Sequence, residues 1–179
     1  IFTDKTGTLT ENRMTVTHYL LPTQDKGYEE VKLEMDESVS GQDGILKTAL
    51  LTGVLCNNAV LEKEDEGLGG EKNRVRKGTG DPLEIALLSA AVEFEMDPVS
   101  LQADWPRVKE AAFNPEQKMM AVWNRIPQDG VVDSEEKTLR IFVKGAPGAV
   151  LEECDRILSK VPDRNQKRPE TRLLDPSEK

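Results

Sequence analysis

The sequence is poor in the residues from which many active sites are built. It has one histidine, His18, and two cysteines, Cys56 and Cys154. A Ser-His-Asp triad would depend on His18 alone, and no serine sits in a nucleophile-elbow context. Two cysteines without a spaced framework point to free thiols in a reducing compartment. With a single histidine they supply too few ligands for zinc. Neither GxxxxGK[ST] nor GxGxxG occurs, so no loop of that kind wraps a phosphate in backbone amides. Aromatics are 4% of the chain, which makes Trp105, Trp123 and the four Phe the places to look. No apolar run approaches the roughly 20 residues that cross a bilayer. The longest, around "IALLSAAV", is broken by Ser89 and flanked by Glu84 and Glu93. A signal-peptide pattern is missing too. So is any basic excess: the net charge of -9 argues against nucleic acid or anionic lipid as the main partner. Taken alone the chain reads as soluble, and its opening without methionine reads as a piece of a longer protein.

What is present is an ordinary globular balance: 179 residues, 37% hydrophobic and 32% charged. That length suits one domain and part of a second, with a core of its own. "IFTD" reads as the end of a buried strand. The runs at 13–21, 31–35, 59–64 and 74–78 read as further strands, and 65–73 as an acidic, glycine-rich loop. Leu46, Leu50 and Val54 recur every four residues and predict a helix from Ile45 to about Cys56. "GDPLEIALLSAAVEFEM" is the best helix. Asp81 fits its N-cap, Pro82 its first turn and Glu84 the capping-box position. A short helix is expected over 97–105, then strands over 107–113, 119–126 and 138–145. The last two strands are joined by a hairpin-like loop. "APGAVLEECDRILSK" reads as helical, with Val150, Leu151, Cys154 and Leu158 on one side. The remainder reads as a polar, loosely ordered tail. There are no internal repeats. The expectation is an α+β fold, an antiparallel sheet flanked by helices.

Asp4 is the first candidate for chemistry. A carboxylate can carry a phosphoryl group as a mixed anhydride. Thr6 and Thr8 offer hydroxyl and backbone donors, and Gly7 lets the backbone approach a phosphate closely. Phosphatases resembling haloacid dehalogenases usually place a second Asp, a general acid, two residues after the nucleophile. Here that position is Thr6, which cannot supply the proton, so the acyl phosphate should live longer. A long-lived phosphoenzyme suits a pump, where phosphate persists through a conformational change.

The string "DKTGTLTENRMTV" resembles the phosphorylation signature of P-type ATPases, and "TENRMTV" resembles the type II cation pumps, the calcium-pump-like group. The resemblance implies that Asp4 is the phosphorylated nucleophile of the parent pump. Lys5 and Thr6 would stand beside it, and Asp4 and Thr6 would hold magnesium there. It implies a chain that leaves the phosphorylation domain at once for a nucleotide-binding domain. Residues 1–13 would then be a strand and hinge of the first, 14–160 the second, and 161–179 the tail. The partner acidic motif of the "GDGxNDxP" kind is not in this sequence, so self-phosphorylation of the fragment is not expected.

Three further stretches match that family in order. "GDPLEIAL" resembles Gly-Asp-Pro-Thr-Glu-x-x-Leu, which makes Glu84 a contact for the adenine amino group with Asp81 nearby. A capping box explains the same residues locally. "FNPEQKMM" resembles a loop in which Phe113 would stack on adenine and Lys118 would face the purine or the phosphates. Their plain alternatives are a core aromatic and a solvated lysine. "FVKGAPGAV" resembles Lys-Gly-Ala-Pro-Glu, which places Lys144 near the phosphates or the adenine edge, with Gly145 permitting close approach. Gly148 stands where the family has Glu. "LCNNA" also resembles a family segment and reads as structural, with Asn57 and Asn58 capping a turn. Arg164, Arg168 and Arg172 have no motif match.

The resemblance thus implies a cytosolic domain that binds ATP or ADP, with Mg2+ in the parent, at the cytoplasmic face of a membrane. Its partners would be the remaining phosphorylation, actuator and membrane domains of the pump. Binding by stacking and two lysines predicts weak affinity, roughly 0.1–1 mM. Two other classes stay open: a dehalogenase-like phosphatase fragment, and a non-catalytic interaction module. A heavy-metal transporter fits poorly, because its His-Pro pair has no counterpart where Tyr19 follows His18.

Overall fold

The structure is a computed structural model and describes residues 13–23, 27–33, 43–62, 77–127, 139–161, 169–175 and 178. The opening string with Asp4, Lys5 and Thr6 lies outside the described residues, as does the glycine-rich loop at 65–73.

In chain order the elements are β1 (His18–Pro22), β2 (Tyr28–Lys32), α1 (Asp43–Leu55), β3 (Val60–Leu61), β4 (Gly78–Thr79), α2 (Pro82–Glu93) and α3 (Pro98–Asp104). There follow β5 (Arg107–Asn114), β6 (Met119–Arg125), β7 (Leu139–Gly145), α4 (Pro147–Glu152), β8 (Arg156–Lys160) and β9 (Glu170–Leu173). The α+β expectation holds. Strands β5, β6 and β7 form an antiparallel three-stranded sheet, and β1–β2, β3–β4 and β8–β9 are antiparallel pairs.

Helix α1 joins two packing regions. Its first half sends Leu46 and Leu50 against Leu21, Leu33 and Ala90. Its end sends Val54, Leu55 and Cys56 against Leu88, Ala91, Met120, Val122 and Phe142. The four-residue spacing read from the sequence is therefore a buried stripe. Alternation along β6 does the same for the sheet: Met120, Val122 and Asn124 are buried, and their neighbours less so. Trp105, just past α3, packs edge-on against Phe142 with ring centroids 5.7 Å apart. Each fully buried leucine contributes about 1.5–3 kcal/mol relative to an exposed one.

Helix α2 starts where the sequence placed it. Asp81 accepts from the backbone N–H of Leu83 at 2.8 Å, and Pro82 opens the first turn. Gly80 precedes them at φ 135, a conformation that favours glycine, and a Cβ there would meet Ala59 Cβ at 2.7 Å. The second half of the expected capping box is not formed, because Glu84 turns its carboxylate to another partner. Loss of the cap in Asp81→Ala should cost about 1 kcal/mol, read as a lower urea midpoint, while Asp81→Asn should keep most of it. Asp97 caps α3 in the same way, and its bonds from Ser100 hold its carboxyl below the usual range. That contribution is present above the unfolded carboxyl range and is lost as pH falls through the lowered value.

Three expectations are corrected. Strand β2 begins at Tyr28, so the polar stretch before Val31 supplies its first half. The helix expected over 146–160 ends at Glu152, and residues 156–160 are strand β8. Ala146 provides no side-chain cap, and Glu152, Glu153 and Asp155 crowd the C-terminal end, where the helix dipole disfavours negative charge. Strand β9 lies in the stretch expected to be a loose tail, and pairing with it satisfies the β8 backbone. Arg172 on β9 makes two bonds of 2.7 Å to Glu178, which gives this arginine a structural partner.

Candidate functional site

The site is built at one end of the three-stranded sheet. Met119 pairs with Gly145 and Met120 with Lys144, so the end of β7 lies beside the start of β6. The turn from Asn114 to Met119 closes the β5–β6 hairpin at the same end. Asn114 Oδ1 accepts from the N–H groups of Glu116 and Gln117, and its carbonyl accepts from Lys118 N at 2.6 Å. Lys118 takes a left-handed backbone, φ 55, to complete the turn. Its carbonyl then accepts from Ala146 N at 2.9 Å, which ties the turn to the end of β7. That closeness needs Gly145, where a Cβ would run into the Lys118 carbonyl and lie 2.7 Å from Met119 Cγ.

Four predicted residues thus share one end of the sheet. Phe113, next to the last residue of β5, has 58% of its surface exposed. That exposure removes the core-aromatic reading of Phe113. Lys118 is exposed and has no ion-pair partner among the described residues. Lys144 lies on the buried face of the sheet, in line with Phe142 along β7. Its Nζ donates to Glu84 Oε1 at 2.5 Å, and the two side chains are 20% and 13% exposed. Glu84 reaches this pair from α2. Its other oxygen, Oε2, accepts from Asn58 N at 3.1 Å, and its carbonyl accepts from Asn57 Nδ2 at 2.9 Å. Asp81, on the cap of α2, is committed to Leu83. Asp4, Lys5 and Thr6 lie outside the described residues, so the group is built without them.

Residues 46–174 match the family described as P-type ATPase, cytoplasmic domain N. This chain belongs to the P-type ATPases. The chain is 32% identical over 158 residues to Calcium-transporting ATPase 1 of Bacillus cereus, covering 88% of this chain and 14% of that protein. It is 33% identical over 165 residues to Calcium-transporting ATPase of Bacillus subtilis, covering 88% of this chain and 17% of that one. It is 34% identical over 163 residues to Sodium/potassium-transporting ATPase subunit alpha-2 of Gallus gallus, covering 88% and 15%. The chain therefore spans less than a fifth of the length of these relatives. Among the described residues of the N domain, no helix is long and apolar enough to cross a membrane.

Sequence reasoning missed the groups that hold Glu84. Asn57 is 2% exposed and fully used: Nδ2 donates to Gly53 and Glu84 carbonyls, and Oδ1 accepts from Ala59 N at 2.8 Å. Arg107, at the start of β5, fastens the same turn from the other side. The only signal in the sequence was "LCNNA", which read as a turn without a client. Cys56 is buried beside it, and burial pushes its thiol up, against the opposing pull of Lys144. A cleft of about 300 Å³ lies along Asn57, Asn58, Gln102, Trp105, Arg107 and Asn124. None of the predicted residues lines it, and the exposed ring of Phe113 makes the candidate site an open surface instead.

Proposed function

We propose that this N domain binds ATP on the surface formed by Phe113, Lys118, Lys144, Gly145 and Glu84, with Asp81 shaping the helix start. The observation that carries the reading is the Lys144–Glu84 pair at the sheet end that also presents an exposed aromatic ring. The two groups are complementary to an adenine edge, which carries donors and acceptors side by side. One of three Nζ donors is used by Glu84, which leaves two for a nucleotide. Phe113 offers a ring face to the base, worth about 1–3 kcal/mol by analogy with nucleic-acid stacking. Lys118 supplies charge toward the phosphates.

In the parent pump the bound nucleotide would be presented to Asp4, with Lys5 and Thr6 beside it, and the remaining phosphorylation, actuator and membrane domains would complete the cycle. ATP hydrolysis would then be coupled to cation transport at the cytoplasmic face of a membrane. Magnesium would be held by Asp4 and Thr6, which lie outside the described residues. Among the described ones no group of three or more His, Cys, Asp or Glu gathers. The described residues named above would hold ATP by stacking and charge.

The test is an NMR titration of the full chain with ATP. Shifts are expected at Phe113, Lys118 and Lys144 with a Kd of roughly 0.1–1 mM. Lys144→Ala should raise that Kd about tenfold, the equivalent of ~1.4 kcal/mol. Absence of shifts at these residues up to several millimolar nucleotide would favour the interaction module and end the ATP reading.

A further inference from the structure

We infer that Arg107 is a positioning residue for Glu84: by clamping the Asn57–Asn58 turn it fixes the carboxylate that discriminates between purines. The inference rests on the ATP reading above and adds a residue to it. Helix α1 ends with carbonyls that lack intrahelical partners. Arg107 Nη2 donates to two carbonyls in this region, Leu55 O at 2.8 Å and Asn57 O at 2.6 Å. Its Nη1 donates to Asn58 Oδ1 at 2.5 Å and to Glu110 Oε2 at 2.8 Å. Glu110 Oε1 in turn accepts from Asn58 Nδ2 at 2.9 Å. One planar guanidinium therefore holds both sides of the turn, a geometry a lysine ammonium cannot reproduce.

The clamped turn reaches Glu84 twice: Asn57 Nδ2 holds its carbonyl, and the backbone of Asn58 reaches its carboxylate. The N–H of Asn58 points at Glu84 Oε2, while Lys144 takes Oε1. Each carboxylate oxygen thus has one fixed donor, and the rotamer of Glu84 is set from behind. A carboxylate held this way accepts from the exocyclic amine of adenine and repels the carbonyl that guanine carries at the same position. Sites that hydrogen-bond a substrate group discriminate strongly against an analogue lacking it. A supporting group left loose lets such a site drift by fractions of an ångström. Arg107 touches no nucleotide in this scheme, so its removal should blunt discrimination more than it weakens the shared contacts at Phe113 and Lys118.

The experiment compares the full chain with Arg107→Ala and Arg107→Lys. It measures Kd for ATP and for GTP, together with the Asn58 amide resonance without nucleotide. The original chain should prefer ATP by about tenfold or more. Arg107→Ala should shift the Asn58 amide and cut the preference to about threefold or less, mainly through ATP, with GTP nearly unchanged. Arg107→Lys keeps the charge and should sit close to the alanine variant in preference. If circular dichroism shows the alanine variant unfolded, the lysine variant decides. Equal losses for ATP and GTP, or an undiminished preference, would overturn the role of Arg107 and leave the ATP site standing. An original chain that binds both purines equally well would instead overturn the reading of Glu84 itself.

Discussion

Gly145→Val should lower the stability of the domain by at least ~3 kcal/mol, the upper end for an overpacked site. The reason is the nature of the neighbours. A Cβ at residue 145 would collide with the Lys118 carbonyl and stand 2.8 Å from Met119 Cα, and both are backbone. Backbone in a paired strand cannot move aside as the end of a flexible side chain can. The same substitution would push the 114–119 turn away from β7 and stretch the bond from Ala146 N to Lys118 O. Phe113 and Lys118 would then separate from Lys144, so ATP shifts should disappear along with stability. Gly145→Ala should follow in the same direction at about 1–3 kcal/mol. Chemical denaturation of the original chain and the two variants checks the order. Equal midpoints for the original chain and Gly145→Ala would show that the turn and β7 are not packed as described.

Asn57→Ala should cost about 2–4 kcal/mol, because one side chain serves two buried groups and one part-buried carbonyl. Removal leaves Ala59 N, Gly53 O and Glu84 O short of a partner. Each buried polar group left unmade costs about 1–3 kcal/mol, with partial relief from relaxation and water. Asn57→Asp should fare no better although it is isosteric. It keeps the acceptor for Ala59 N, loses both amide donors and sets a charge against two carbonyls at a position that is 2% exposed. Thermal unfolding of both variants tests this. A change of less than about 1 kcal/mol in Asn57→Ala would mean that the turn is held by Arg107 alone.

The elements that the sequence predicted well share a cause. Helix α2 was legible because its cap, its first-turn proline and its apolar pattern are all local. Strand β6 was legible because its alternation has a buried face, whereas β7 buries only Phe142 and β5 has no buried residue. Strand β8 was not: Val150, Leu151, Cys154 and Leu158 have helical spacing, and only the partner strand β9 decides for the extended form. Glu84 shows the same limit at the site. As a capping-box residue it satisfies a local rule, yet the acceptor capacity of its carboxylate goes to Lys144, 60 residues away, and to Asn58 N.

What the sequence alone determined about this protein is its set of side chains and the elements that carry them: the motifs around Asp4, Glu84, Phe113, Lys118 and Lys144, and an α+β arrangement. Those features follow from spacing along the chain, which short-range sterics and periodicity make readable. Only the tertiary structure decided which charges share a partner, that Arg107 closes the turn behind Glu84, and that Gly145 must lack a side chain. Each of these depends on atoms far apart in sequence meeting within a few ångström, and hydrogen bonds and van der Waals repulsion act only at that range.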